Sequence, residues 1–364
     1  MKVKKLAVLF LALCFTGGAA ACGGTESPPD DGKTEEHFTN APAGATEALY
    51  DTSFDYGLNV FGVDSRYHST SPWYQLKPDA ASLEDPIWKL GQWGCFVNYF
   101  LDRELTFVEG SSEYSYPATD ANLTEEDGWV TISNPTSSVS VNTSSGSVKL
   151  YQDTREEYGV TPAYAEAPRA SLPRKDGEAW PHLIIEQNIV SNTALADLKG
   201  VYFDMGFTLT KCDDYTPDKN ESLHSAQFQW IISIECFNTE KSSYRDMYWF
   251  DIPIVDARTG DTSAKTEEFA HYDGGKEDAT GSLIYGISNY DFVDGGVEIG
   301  EKYEVSVDLY DKIVASFEYA QSEGLFTDCT LADMRIATTN IGWEVTGVYD
   351  VGVDIEYLSM KYVQ

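Results

Sequence analysis

Basic residues are scarce in this chain. Lys and Arg number 25 against 59 Asp and Glu in 364 residues, giving a formal net charge of −34 and a sequence pI near 4.3. Phosphate backbones are held by Lys and Arg, so this balance excludes nucleic acid as a partner. It equally excludes docking on anionic lipid through a basic patch. Histidine is sparse too, with five residues scattered without metal-ligand spacing. There is no H-E-x-x-H, no P-loop, no Rossmann glycine fingerprint and no G-x-S-x-G elbow, which argues against a zinc enzyme, an NTPase, a dehydrogenase or an α/β-hydrolase. The same absences say little about glycosidases, whose paired carboxylates can lie far apart in sequence.

Apolar material is plentiful. Hydrophobic residues make up 42% and aromatics 13%, with 23 Tyr, 17 Phe and 8 Trp against 5 Met. That is too much for a disordered acidic protein, and it favours strand-rich packing over helical bundles.

The N-terminus reads as an export signal. Lys2, Lys4 and Lys5 precede an apolar run from Leu6 to Phe15, then small residues Gly17 to Ala21, then Cys22. The run is shorter than the roughly 20 apolar residues needed to span a bilayer. Ala19-Ala20-Ala21-Cys22 resembles the lipobox of bacterial lipoproteins, with Ala where Leu is usual. The resemblance implies removal of residues 1–21, lipidation of Cys22, and a body held outside the cytoplasm on the cell envelope. Residues 22–46 (Gly, Pro, Asp, Glu and Thr, with one Phe) are expected to form a solvated tether in which His37 has no role.

Residues 47–364 contain no second linker-like stretch and no internal repeat, so one large domain is expected. Alternation with period two recurs along them. Val201, Phe203, Met205, Phe207 and Leu209 form one apolar set; Ala226, Phe228, Trp230, Ile232 and Ile234 another; Tyr248, Phe250, Ile252 and Ile254 a third. Val305 to Leu309, Val351 to Ile355, Trp129 to Ile132, Val139 to Val141 and Val148 to Tyr151 repeat the pattern. Many half-buried strands separated by Gly, Asn, Asp and Pro predict an all-β antiparallel sandwich. One helix is expected over Asp311 to Gly324, burying Ile313, Val314, Phe317, Ala320 and Gln321 and ending at Gly324.

The strand texture, with Trp180 to Gln187, Gln227-Phe228-Gln229-Trp230 and Ile341-Gly342-Trp343-Glu344, resembles the jelly-roll sandwiches of carbohydrate-binding modules, lectins, glycoside hydrolases and polysaccharide lyases. The likeness is architectural, and it transfers no catalytic residue.

Beyond Cys22, the mature cysteines are Cys95, Cys212, Cys236 and Cys329, which allow three pairings. A hairpin joining the strands that end at Lys211 and begin at Ala226 would put Cys212 and Cys236 roughly 30 Å apart at 3.3 Å per residue. Cys236 continues the apolar parity of its strand. Two disulfides would suit an exported protein, but no close pair presents itself, and free thiols are the expectation.

The polar strand faces are the candidate site. Gln227 and Gln229 share one face, Trp249 and Asp251 another, and His182 and Glu186 a third. If these line one concave sheet, amides and carboxylates meet sugar hydroxyls, and the Trp ring stacks on a pyranose face. Trp73, Trp88 and Trp93 are candidate rim aromatics on loops. As an enzyme, the chain would draw its catalytic pair from Glu186, Asp251 and Glu344. A lyase would use a cation against a uronate; Arg258 and Lys265 are nearby, but the net charge opposes an anionic polymer. No cofactor is expected. A structural Ca²⁺ is the one candidate ion, at the acidic loops Asp213 to Glu221, Asp256 to Asp261 or Asp273 to Asp278. The first expectation is therefore a surface lipoprotein capturing neutral glycans. The alternatives are a secreted glycoside hydrolase on the same fold and a structural or adhesive envelope protein.

Overall fold

A computed structural model of the chain describes residues 37–60, 74–77, 85–92, 94, 106–107, 114–115, 123–133, 136–158, 172–189, 191, 193–274 and 279–364. The export segment, Cys22, Trp73, Trp93 and Cys95 lie outside these residues. In chain order the strands are β1 (Thr46–Glu47), β2 (Leu58–Val60), β3 (Tyr74–Leu76), β4 (Trp88–Gly91), β5 (Thr106–Phe107), β6 (Tyr114–Ser115), β7 (Leu123–Glu126), β8 (Trp129–Ser133), β9 (Ser137–Asn142) and β10 (Ser147–Asp153). After a short helix α1 (Thr154–Tyr158) come β11 (His182–Asn188), β12 (Gly200–Asp214), β13 (Ala226–Cys236), β14 (Met247–Asp256), β15 (Phe269–Tyr272), β16 (Leu283–Gly286) and β17 (Lys302–Asp308). Helix α2 (Tyr310–Ser322), β18 (Met334–Val345) and β19 (Tyr349–Val363) complete the chain.

Two sheets pack face to face. One runs β17-β12-β19-β10-β9-β8-β7, with β1 added on β19; the other runs β15-β16-β14-β13-β18-β11-β4-β2-β3. Pairing is antiparallel except between β14 and β16 and between β2 and β4. The period-two sets of β12, β13 and β14 are buried to 0% exposure, as their alternation predicts. They meet across the sandwich: the Phe203 ring stands edge-on to Trp230 at 4.9 Å, and Phe207 lies 5.9 Å from Phe228. Trp230 also donates its indole N–H to Thr339 Oγ1 at 2.7 Å, so its polar edge is satisfied inside the core. Pro253 sits beside the register shift at Phe228/Gln229, and the ladder with β16 stops at Asp251, so its missing N–H breaks no bond there.

Helix α2 spans the crossover from β17 in one sheet to β18 in the other. It buries Ile313, Ser316, Phe317 and Ala320. The buried stripe is thus rotated from the expected one: Ser316 is inside because its hydroxyl meets the Tyr248 phenol at 2.9 Å, while Val314 and Gln321 are half-buried. Gly324 closes the helix at φ +86°, in the left-handed region that glycine adopts without strain.

The expected tether is shorter than residues 22–46. From His37 onward the chain lies on the outer face of the eight-stranded sheet. The His37 ring stacks on Tyr357 at 4.3 Å, Thr39 donates to Asp204 Oδ2 at 2.7 Å, and the Asn40 side chain donates to the Ser306 carbonyl at 2.9 Å. Glu47 accepts from Ser359 and from the Met360 N–H. Composition made this segment look solvated; specific polar partners on β12, β17 and β19 hold it down.

Candidate functional site

Strand alternation puts the residues between the core sets on the outer face of the nine-stranded sheet, and the register arranges them in rows. One row is Asp256 (β14), Gln227 (β13), Glu344 (β18) and His182 (β11). The next holds Pro253, Gln229, Gly342, Ile184 and Gly91. A third holds Gly286, Asp251, Ile231, Asn340, Glu186 and Lys89, and a fourth Ile284, Trp249, Ser233, Thr338 and Asn188. The three residue pairs that the sequence left on separate strand faces thus share one face, and Glu344 joins them.

At the edge of the sheet β15 pairs with β16, Phe269 opposite Gly286. Phe269 of β15 lies where a Cβ on Gly286 would have to go, 2.1 Å from its ring, so only glycine fits beneath it. Burial lowers the His271 imidazole, two residues on, from its ordinary range, and the charge of Asp273 opposes that shift.

Asp251 is the most constrained group on it. The residue is 3% exposed, and its Oδ1 is buried without a hydrogen-bond partner among the described residues. Burial pushes its carboxyl well above the usual carboxylate range, and the negative charges of Glu344 and Asp256 push the same way. Glu344 differs. Its carboxylate accepts the Trp180 indole N–H at 3.1 Å and lies 3.4 Å from His182 Nε2. The other ring nitrogen of His182 meets the Trp180 carbonyl at 2.9 Å, and because a carbonyl only accepts, that nitrogen carries a proton. Trp180 stacks on His182 at 5.6 Å and carries the Arg174 guanidinium 4.7 Å from its ring, so the support of Glu344 is itself packed in place.

Two other carboxylates are unlike this pair. Asp256 accepts from Ser225 Oγ, Gln227 Nε2 and Arg258, so its oxygens are occupied. Burial raises the Glu186 carboxyl and Lys89 partly offsets it; Glu186 is absent from the charges acting on Asp251. Gln229 is buried, while Gln227 and Trp249 are half-buried at the surface.

Trp88 is not a rim residue. It is fully buried, with its ring stacked on Phe54 at 5.2 Å and its N–H donating to the Asp51 carbonyl at 2.9 Å. It lies on β4, an interior strand between β11 and β2, on the inward parity shared with Leu90. Trp73 and Trp93 lie outside the described residues. Trp180 and Asn340 join the site without having been singled out; the alternation Asn340-x-Gly342-x-Glu344 carried the signal for Asn340.

Among the described residues, no three His, Cys, Asp or Glu converge on a metal position. The carboxylates of the acidic loops bond locally instead: Asp214 to Lys219 and the Thr216 N–H, Asp261 to Ser263, Asp273 to Thr280.

No protein-family model matches the chain, and no curated protein matches it. Fifty-eight chains of solved structures do. A family 12 xyloglucanase from Bacillus licheniformis is 10% identical over 71% of this chain and 97% of its own, with a TM-score of 0.36. A cellulase derived from the Cel12A enzyme of Rhodothermus marinus is 12% identical over 65% of this chain and 92% of its own, at 0.34. The xyloglucanase domain of a type three effector from Sinorhizobium fredii is 11% identical over 66% and 95%, at 0.31. The likeness transfers no residue, and the site is read from its own side chains.

Proposed function

We propose that this protein is a glycoside hydrolase acting on neutral glycans at the outer face of the nine-stranded sheet, with Asp251 as general acid and Glu344 as its partner carboxylate. The observation that carries this reading is Asp251: a carboxyl whose Oδ1 is buried without a hydrogen-bond partner among the described residues, on the same sheet face as a second carboxylate that is hydrogen-bonded. An orphaned buried carboxyl is costly and is retained where it has work to do. The raised carboxyl of Asp251 suits a general acid, and the hydrogen-bonded Glu344 suits the partner role. Asp251, kept protonated, would give its proton to the glycosidic oxygen as the bond to the sugar carbon breaks. Glu344, steadied by the Trp180 N–H, would stabilise the developing positive charge and either attack that carbon or activate water.

Gln227, Gln229 and Asn340 supply donors and acceptors for sugar hydroxyls, and Trp249 offers a stacking plane. The strong negative charge favours neutral over uronic or sulfated polymers. No cofactor enters this chemistry. The proposal retains lipidation of Cys22. The chain then enters the domain along the outer face of the opposite sheet, through His37 and Thr39.

The test is a glycan array on the full protein, followed by reducing-sugar release from each neutral polysaccharide that binds. Release that is lost in Asp251→Asn while binding persists supports the proposal. Binding without release by the wild type returns the protein to glycan capture. No binding to any glycan overturns both readings and leaves an envelope protein with another partner.

A further inference from the structure

We propose that Cys236 and Cys329 are joined by a disulfide in the mature protein. Cys236 ends β13 and is fully buried; Cys329 lies between α2 and β18 and is 4% exposed. Their sulfur atoms stand 3.4 Å apart although 93 residues separate them in sequence. A disulfide needs about 2.05 Å, so the sulfurs have little more than an ångström to travel.

The approach does not depend on the sulfurs themselves. The Cys236 N–H donates to the Asp246 carbonyl at 3.0 Å, and its carbonyl accepts from the Arg245 N–H at 2.8 Å. The Cys329 N–H donates to the Phe326 carbonyl at 2.9 Å, and its carbonyl accepts from Gln321 Nε2 at 2.9 Å. Between the two strands of chain, Asp328 accepts from the Ser242 N–H at 2.7 Å and from Ser243 Oγ at 3.0 Å, and Lys241 pairs with Asp333 at 3.2 Å. Backbone and side-chain bonds thus hold both cysteines in facing positions independently of any covalent link. Among the described residues no three His, Cys, Asp or Glu converge here on a metal position; Asp328 Oδ1 lies 3.5 Å from the Cys329 sulfur. This inference is independent of the glycan reading.

The chemistry balances as a dithiol–disulfide exchange. One cysteine thiolate attacks a disulfide of a thiol oxidoreductase or of a small-molecule disulfide and displaces one acceptor thiol. The second cysteine attacks the mixed disulfide and displaces the other. Two protons and two electrons leave the pair, and the acceptor disulfide is reduced to two thiols. In the folded protein, burial and its thiol neighbour push the Cys329 thiol up to about 12, so thiolate is scarce. The exchange belongs to the folding chain, before the corner closes.

The test is peptide mapping by mass spectrometry of the full protein produced in an oxidising compartment, denatured and alkylated without reductant. The expected result is a linked Cys236–Cys329 peptide two hydrogens lighter than its parts, with neither residue alkylated. Protein refolded after reduction under anaerobic conditions should melt about 5–10 °C below the oxidised form, a gap absent from the Cys236→Ala/Cys329→Ala double variant. Alkylation of both residues in the unreduced sample, or a link from either one to a different cysteine, overturns the proposal. Mapping uses the wild type, so a variant that fails to fold does not blunt it.

Discussion

Asp251 and Glu344 stand on the same sheet face with one strand, β13, between their own; burial raises the Asp251 carboxyl above its usual range, and the charge of Glu344 adds to the rise. Water would otherwise screen the interaction, and the burial of Asp251 removes that water. The relationship turns a patterned strand face into a pair of carboxyls with different tasks.

Asp251→Asn should reduce glycan hydrolysis by about 10²–10⁴-fold, the usual contribution of a positioned acid, with little change in binding. The same substitution should alter the pH dependence of stability. The folded carboxyl is raised above its unfolded value, so the folded state binds more protons, and stability falls as pH rises from about 4 towards the raised value. The Asn variant lacks this contribution, so its stability advantage should grow across that window. Denaturant melts at several pH values measure the difference, and parallel wild-type and variant curves would reject it.

Glu344→Gln and Glu186→Gln should separate the two remaining carboxylates. Loss of hydrolysis in the first, with a far smaller effect in the second, is expected because, of these two, it is Glu344 whose charge acts on Asp251. Initial rates on one polysaccharide decide this, and the opposite ranking moves the dyad to Glu186.

Trp249→Ala should weaken glycan binding by about 3–10-fold, the value of one stacking ring, and leave the melting temperature close to wild type. Trp230→Ala should do the reverse, costing about 3–5 kcal/mol, because its ring is wholly buried against Phe203 and the truncation opens a cavity. Titration calorimetry and thermal melts on the two variants check both halves.

Cys22→Ser should move the protein from the membrane fraction to the soluble fraction. A single acyl chain holds a protein only marginally, so firm anchoring of the wild type implies more than one chain on this cysteine. Unchanged membrane association on fractionation would remove the anchor.

Much of the architecture is a local property of the chain and could be read from it. Alternation in β12, β13 and β14 follows from the geometry of any strand, whose side chains point to opposite faces in turn. It sorted Phe228 and Trp230 inward and Gln227 and Gln229 outward, and it put Asp251 opposite Phe250. The helix and its Gly324 stop were equally local. Trp88 was misplaced because the prolines around it resembled a loop, while its alternation with Leu90 spans too few residues to stand out.

Which strands become neighbours is a different matter. β18 lies between β11 and β13, and that order brings Glu344 beside Gln227 and His182 from distant parts of the sequence. The same long closures set Cys329 against Cys236 and lay His37 on Tyr357. Pairing of this kind is decided by how whole sheets bury their inner faces, and no short window contains that information. Desolvation is likewise a property of everything packed around a group. Sequence alone determined that Asp251 points away from the core; only the tertiary structure decided that it is buried there, its Oδ1 without a partner among the described residues, with the charge of Glu344 acting on it.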